Sequence, residues 1–384
     1  MKFIPFFISC LLFLSCRSQD ILRTGAEQIN MYEKLIINKN IGLVINQTSM
    51  VDNVHLLDTL LKRSLNIIKI FSPEHGFRGK ADAGEKINDN IDPKTKLQVV
   101  SLYGKNKKPQ KAQLKDIDVM LFDIQDVGAR FYTYISTLHY VMEACAEQNI
   151  SLIVLDRPNP NGHYVDGPVL DTTYRSFVGM HPIPIVHGMT IGEYAKMING
   201  EAWLKNKIKC ELYVIKCKNY DHNTQYTLPV SPSPNLKDSV AIALYPSLCL
   251  FEGTKISVGR GTSAPFTMFG HPDISGSFSF TPRSMEGAKN PKHKSKLCYG
   301  EDLSVHKTPM KKLNLEWLIS AYSQSKIKDQ FFNSFFNKLA GNNTLKSAII
   351  TGKKEEDIKK TWEKPLMAFK HKRKKYLLYP DYKQ

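Results

Sequence analysis

The sequence predicts an α/β protein in which a parallel sheet with helices on both faces fills the first half and a second, smaller α/β or α+β domain follows. Two observations carry this. In the first half, short runs of β-branched and other apolar residues alternate with stretches of helical period, the rhythm of βαβ units. Near residue 200 that rhythm gives way to mixed strand, proline-rich loop and helix patterns. The first runs are residues 41–47, 67–71, 98–102, 119–124 and 152–155. They are almost continuously apolar, as expected of strands covered on both faces. Residues 54–62 and 133–148 carry helical patterns between them. Further on, residues 211–216 read as a strand and 229–235 as a proline-rich loop, and 241–251 lead into Glu252-Gly253-Thr254. A Gly/Ser/Thr/Pro-rich stretch reaches residue 276, and helical patterns return at 313–323, 329–339 and 355–371. The domains are drawn at 17–200 and 201–384, with no internal repeat and no low-complexity segment.

Residues 1–16 read as a targeting segment. Lys2 gives a minimal basic start, and residues 3–14 are apolar apart from Pro5, Ser9 and Cys10. A run of about a dozen residues is too short to span a bilayer and fits a signal peptide. Phe13-Leu14-Ser15-Cys16 looks like a lipobox, so the expectation is export to the periplasm or outer membrane with Cys16 as a lipidated N-terminus. Ordinary cleavage without lipid is the alternative. Five cysteines follow: Cys145, Cys210, Cys217, Cys249 and Cys298. An odd number without CxxC spacing argues against a disulfide framework and a structural zinc site. The formal charge is +17, and residues 285–312 and 352–384 together supply +10 of it. A solvated lysine-rich face accounts for this, with binding of anionic wall polymer or lipid as the alternative. Export removes nucleic acid as a partner.

In parallel sheets, ligands bind beyond the carboxyl ends of the strands. Those ends are crowded here. They carry Asn46-Gln47-Thr48, then Ser72-Pro73-Glu74-His75-Gly76, then Asp123, Gln125, Asp126 and Arg130, and finally Asp156-Arg157-Pro158-Asn159-Pro160. Ordinary loop chemistry explains any one of these clusters. It explains four on one rim less well.

These clusters belong to longer blocks: GLVINQT (42–48), FSPEHGFRG (71–79), AGE (83–85), SLYG (101–104), FDIQDVGARFYTYISTL (122–138) and LDRPNPNG (155–162). GPVL (167–170), SFVGM (176–180), HGMTIGEYA (187–195), PSPN (232–235), YPSLCLFEGTKISVGRGTSAPF (245–266) and KYLLYP (375–380) continue the series. In these blocks the chain resembles the DUF1343 family, which includes the NamZ-type exo-β-N-acetylmuramidases, over nearly its whole mature length. The resemblance implies a Rossmann-like N-terminal domain, a smaller C-terminal domain and an active site in the cleft between them. It also implies hydrolysis of non-reducing terminal β-linked N-acetylmuramic acid (MurNAc) from peptidoglycan fragments such as MurNAc–GlcNAc and muropeptides. Val258 and Ala264 depart from the family pattern around the GRGT block, which bears on substrate preference.

Glycoside hydrolysis needs a proton donor for the leaving oxygen and a second group at the anomeric carbon. Glu74, in a turn at a strand end, is the leading acid/base, and His75 beside it tunes it or touches the sugar. Glu85, Asp123, Asp126 and Glu252 are candidates for the second role, Glu252 facing Glu74 across the cleft. In a substrate-assisted reaction Asp123 or Asp126 would orient the acetamido group. The lactyl carboxylate of MurNAc calls for an arginine. Arg78, Arg130, Arg157 and Arg260 are the candidates, those not used pairing with Asp123, Asp126 or Asp156. Asn46, Tyr132, Tyr134, Asn159 and His187 are possible sugar contacts, with buried structural roles as the alternative.

No cofactor is expected. GxGxxG and GxxxxGK[ST] are both absent, and Ser323-Gln324-Ser325-Lys326 lacks the companions of the SxxK enzymes. Two rival readings stand. One is a metal-dependent hydrolase built on Asp123, Asp126, Asp156 and His75 or His187, and the other is a non-catalytic wall-binding lipoprotein.

Overall fold

The computed structural model describes residues 21–77, 85, 89–306 and 309–382. Cys16 and Arg78 lie outside the described residues. The strands are β1 Ile41–Ile45, β2 Met50–Val51, β3 Val54–His55, β4 Ile67–Ser72, β5 Asn90–Ile91, β6 Gln98–Ser101, β7 Val119–Asp123, β8 Ser151–Leu155, β9 Leu212–Ile215, β10 Met268–His271, β11 Phe278–Phe280 and β12 Cys298–Asp302. Seven form one sheet in the order β5-β6-β4-β1-β7-β8-β9, parallel except for β5 at one edge. Numbered by chain order, the six parallel strands run 3-2-1-4-5-6, the doubly wound Rossmann arrangement. The order reverses between β1 and β7, so the loops beyond their ends diverge and leave a crevice.

The continuous apolar runs are explained by burial on both faces. Every residue of β1 and of β7 is buried. Along them side chains alternate between two cores: Ile41, Leu43, Ile45, Val119 and Leu121 face one, Val44, Met120 and Phe122 the other. The first core is closed by Tyr32 and Ile36 of the helix Ile29–Ile36 and by Leu56, Leu57 and Leu60 of the helix Leu56–Lys62. The second takes the helices Tyr134–Gln148 and Ile191–Gly200 and runs on without a break to Phe369. Both halves of the chain therefore share one core.

The strand expected in the second domain at 211–216 is β9, the edge of the main sheet. The sheet thus extends past the expected boundary at residue 200. Beyond it, among the described residues, lie the antiparallel sheet β10-β12-β11 and six short α-helices. Two helices expected from the pattern are broken. Residues 329–339 form a 3₁₀ turn, Lys328–Gln330, and a helix, Phe336–Ala340. Between them Asn333 donates its backbone N–H to Gly253 and accepts the Phe335 N–H on its side chain, 2.9 Å each. Residues 355–371 split into Glu355–Lys360 and Glu363–Arg373. The Thr361 hydroxyl bonds back to Ile358 O at 2.6 Å, and Pro365 falls in the first turn of the second helix, where its missing N–H is harmless.

Candidate active site

The chain leaves β4 through Pro73-Glu74-His75-Gly76, closed by a 3.1 Å bond from Gly76 N–H to Pro73 O. His75 and Gly76 both adopt left-handed conformations, φ 70° and 78°. For a non-glycine residue that conformation costs on the order of 1 kcal/mol and persists only where surroundings enforce it. His75 is buried, so the turn is held from beneath while Glu74 points outward. The Thr133 hydroxyl donates to Glu74 Oε2 at 2.7 Å. Thr133 precedes the fifteen-residue helix Tyr134–Gln148, and its hydroxyl makes no capping bond there. Glu74 is therefore anchored beside the positive end of a long helix dipole.

Glu74 lines a cleft of about 460 Å³ together with Tyr132, Tyr134, Tyr245, Phe266, Glu252 and Arg260. The tyrosines form an edge-to-face cluster, 4.7 Å between Tyr132 and Tyr134 and 5.8 Å between Tyr132 and Tyr245. Both the Tyr132 and Tyr134 hydroxyls donate to Pro232 O, at 2.8 and 3.2 Å. A backbone carbonyl of the PSPN loop thereby ties the second half of the chain to the wall of the first.

Glu252, from the 3₁₀ turn Cys249–Gly253, pairs with Arg260 Nε at 3.2 Å, and Arg260 also lies 4.9 Å over Phe266. Both side chains remain open to the cleft, 23% and 22% exposed. Burial pushes the Glu252 carboxyl up, but Arg260 and Lys292 outweigh it and hold the group below its ordinary range. Lys292 is fixed by donating to the carbonyls of Phe251, Glu252, Thr254 and Ile256 at 2.9–3.3 Å. Beyond the Glu252–Arg260 pair a second compartment of about 480 Å³ opens, lined by Glu85 and Lys289, which pair at 2.5 Å.

Several expected contacts lie behind the wall instead. Asp123 is fully buried and clasped by Arg157 through two bonds, Nε–Oδ1 2.6 Å and Nη2–Oδ2 2.9 Å. Asp126 accepts from Gly128 N–H at 2.7 Å and faces His187 Nε2 at 3.5 Å, both side chains buried. Asn46 folds its carbonyl onto Thr48 and donates to the Tyr134 hydroxyl at 3.0 Å. Asn159 caps Asn161 N–H and donates to Met189 O. It also presses on Gly128 (φ 76°), where a Cβ would sit 2.3 Å from Asn159 Oδ1.

Arg130 is fully buried and donates to four carbonyls, Pro168, Ile183, Leu339 and Ala340, at 2.8–2.9 Å. Burial lowers its pKa to about 9. None of Asn46, Asp123, Asp126, Arg130, Arg157, Asn159 or His187 lines the cleft. Asp156 is likewise committed, accepting from Thr190, Gly192 and Tyr379, and burial raises it to about 6. The carboxylates of the metal-site reading are thus dispersed. No group of three or more His, Cys, Asp or Glu among the described residues is arranged to hold a metal.

Thr133, Tyr103, Lys107, Phe177, Tyr245, Phe266, Lys292 and Phe335 line the cleft or its extension without having been singled out from sequence. Thr133, Tyr103, Phe177, Tyr245 and Phe266 sit inside the quoted blocks, which was the available signal.

The doubly wound sheet presents two carboxylates and an arginine on a cleft of about 460 Å³, the groups that a glycoside hydrolase acting on an anionic sugar requires. Residues 41–240 match the family described as exo-beta-N-acetylmuramidase NamZ, N-terminal, and residues 243–379 its C-terminal counterpart. The peptidoglycan beta-N-acetylmuramidase NamZ of Bacillus subtilis (strain 168) is 40% identical over 379 residues, covering 91% of this chain and 89% of that protein. A DUF1343 family protein of Bacteroides fragilis NCTC 9343, known from its crystal structure, has a TM-score of 0.87 at 49% identity over 94% of this chain and 99% of that one. A second from the same organism has a TM-score of 0.78 at 28% identity over 93% and 99%. The chain belongs to the NamZ exo-β-N-acetylmuramidase family.

Proposed function

We propose that this chain releases non-reducing terminal β-linked MurNAc from peptidoglycan fragments, with Glu74 as proton donor to the leaving oxygen. The supporting observation is a pair of carboxylates on one cleft, Glu74 bonded to the Thr133 hydroxyl and Glu252 paired with Arg260. The Thr133 hydroxyl that bonds Glu74 can donate to a carboxylate or accept from a carboxylic acid, so that bond serves both protonation states. Glu252 is pinned as an anion by Arg260 and Lys292, which weakens it as nucleophile and base. Its role is electrostatic, opposing the positive charge that develops at the anomeric carbon.

Arg260 is our choice for the lactyl carboxylate. Arg130 is spent on four carbonyls and Arg157 on Asp123, whereas the terminal nitrogens of Arg260 have no hydrogen-bond partner among the described residues. Purified protein should release free MurNAc from MurNAc–GlcNAc, and binding without release would leave only a wall-binding protein. Arg260→Ala should cut the preference for MurNAc over GlcNAc glycosides by about tenfold, one charge-assisted bidentate contact's worth. An unchanged ratio would remove Arg260 from that role.

We further propose that the protein is exported and anchored to a membrane through a lipidated Cys16. Mass spectrometry of the mature N-terminus should find an acylated cysteine; an unmodified N-terminus at any other residue sinks this part.

A further inference from the structure

We propose that Phe335 is a stacking platform for the leaving-group sugar, the N-acetylglucosamine unit on the far side of the scissile bond. This rests on the muramidase reading above. The observation is an aromatic ring out of place. Residues 331–336 read Phe-Phe-Asn-Ser-Phe-Phe. Phe331, Phe332 and Phe336 are buried and pack on one another, with centroids 4.9 and 4.5 Å apart. Phe335 is 37% exposed, has no ring partner among the described residues, and lines the cleft that holds Glu74. Its backbone is nevertheless fixed. Its N–H donates to Asn333 Oδ1 at 2.9 Å, and its carbonyl accepts from Lys338 and Leu339 at 3.1 and 3.2 Å. A large apolar ring held rigidly in solvent at a cleft is the kind of exposure that marks a contact surface.

Its place in the cleft identifies the occupant. Of the residues lining the cleft, Tyr132, Tyr245 and Phe266 are buried and form its inner wall, whereas Tyr103, Lys107, Phe177 and Phe335 are exposed or partly exposed and form its rim. Arg260 lies over the buried Phe266 ring of that inner wall and lines both compartments. With the lactyl carboxylate at Arg260 and the donor at Glu74, an exo-acting enzyme directs the leaving sugar toward the rim. The Phe177 ring is already covered by Lys107 at 4.7 Å and stacked on Tyr140 at 6.3 Å, and the Tyr103 ring is tilted against Phe177 at 6.2 Å. Phe335 is therefore the rim ring whose face is left for a pyranose. A β-linked GlcNAc in its chair form presents a face of axial C–H groups, which complements the negative face of a phenyl ring.

The test compares MurNAc–GlcNAc with methyl β-MurNAc, which has no leaving sugar. Phe335→Ala should lower kcat/KM for the disaccharide about tenfold more than for the methyl glycoside, mainly through KM, as the loss of one stacking contact requires. Phe335→Trp should restore the ratio. Equal losses on both substrates, or none on the disaccharide, would overturn the platform. Calorimetric binding of the disaccharide to Glu74→Gln protein, with and without Phe335→Ala, separates this from the activity assignment. If wild type hydrolyses neither substrate, the muramidase reading fails by itself. A roughly tenfold weaker disaccharide affinity would still support the platform, and an unchanged one would overturn it.

Discussion

Replacing Glu74 by glutamine should reduce MurNAc release from MurNAc–GlcNAc by about a thousandfold, within the span of a lost general acid, while the protein stays folded. The amide is nearly isosteric and its oxygen still accepts from Thr133, so the anchoring bond survives. The strain of the turn lies in the His75 backbone, which the substitution does not touch. What disappears is the transferable proton. The loss should therefore depend on the leaving group. A dinitrophenyl glycoside departs as a stable anion without protonation, and with it the variant should recover most of its turnover, provided cleavage limits the rate. Steady-state kinetics on both substrates, with circular dichroism as the folding control, decide the matter. Near wild-type hydrolysis of the disaccharide, or an equal loss on both substrates, would falsify the proton-donor assignment.

The sheet could be read from sequence because burial on both faces writes its strands as almost continuous apolar runs, and β1, β4, β6, β7 and β8 all fall on such runs. Other strands left no such mark. The two residues of β5 are both exposed, β11 and β12 are only partly buried, and β10, though buried, lies in a Gly/Ser/Thr/Pro-rich stretch. Asn333 and Thr361 broke two expected helices through local side-chain bonds that periodicity does not register. In the site, strand-end position was enough to single out Glu74. It could not separate residues facing the cleft from those one layer behind it. Asp123 ends one strand and Glu74 lies just past another, yet the first is clasped by Arg157 and the second reaches the cleft. Arg130 shows why: the acceptors that occupy it lie at residues 168, 183, 339 and 340, brought together only by the fold.

Arg157→Met should destabilise the protein by about 4 kcal/mol, because it leaves Asp123 as an unpaired charge in the interior. Asp123 is 0% exposed and β7 is covered on both faces, so water cannot replace the lost partner. The arginine also holds Met50 O at 3.0 Å, which binds the β2–β3 hairpin to the sheet and adds to the loss. Neutralising the aspartate should reverse much of the damage. Asp123→Asn combined with Arg157→Met removes both charges, and the pair should be more stable than Arg157→Met alone. A rise in denaturation midpoint from the single to the double variant is the expected result. A double variant no more stable than the single one would mean that the two residues do not act as a buried pair. The same proteins separate structure from chemistry at this site. If Asp123 serves only to hold Arg157, the folded fraction of the double variant should retain MurNAc release within a few-fold of wild type, since neither side chain lines the cleft. A loss approaching that of Glu74→Gln, in protein shown to be folded, would return Asp123 to the list of groups that act on the substrate.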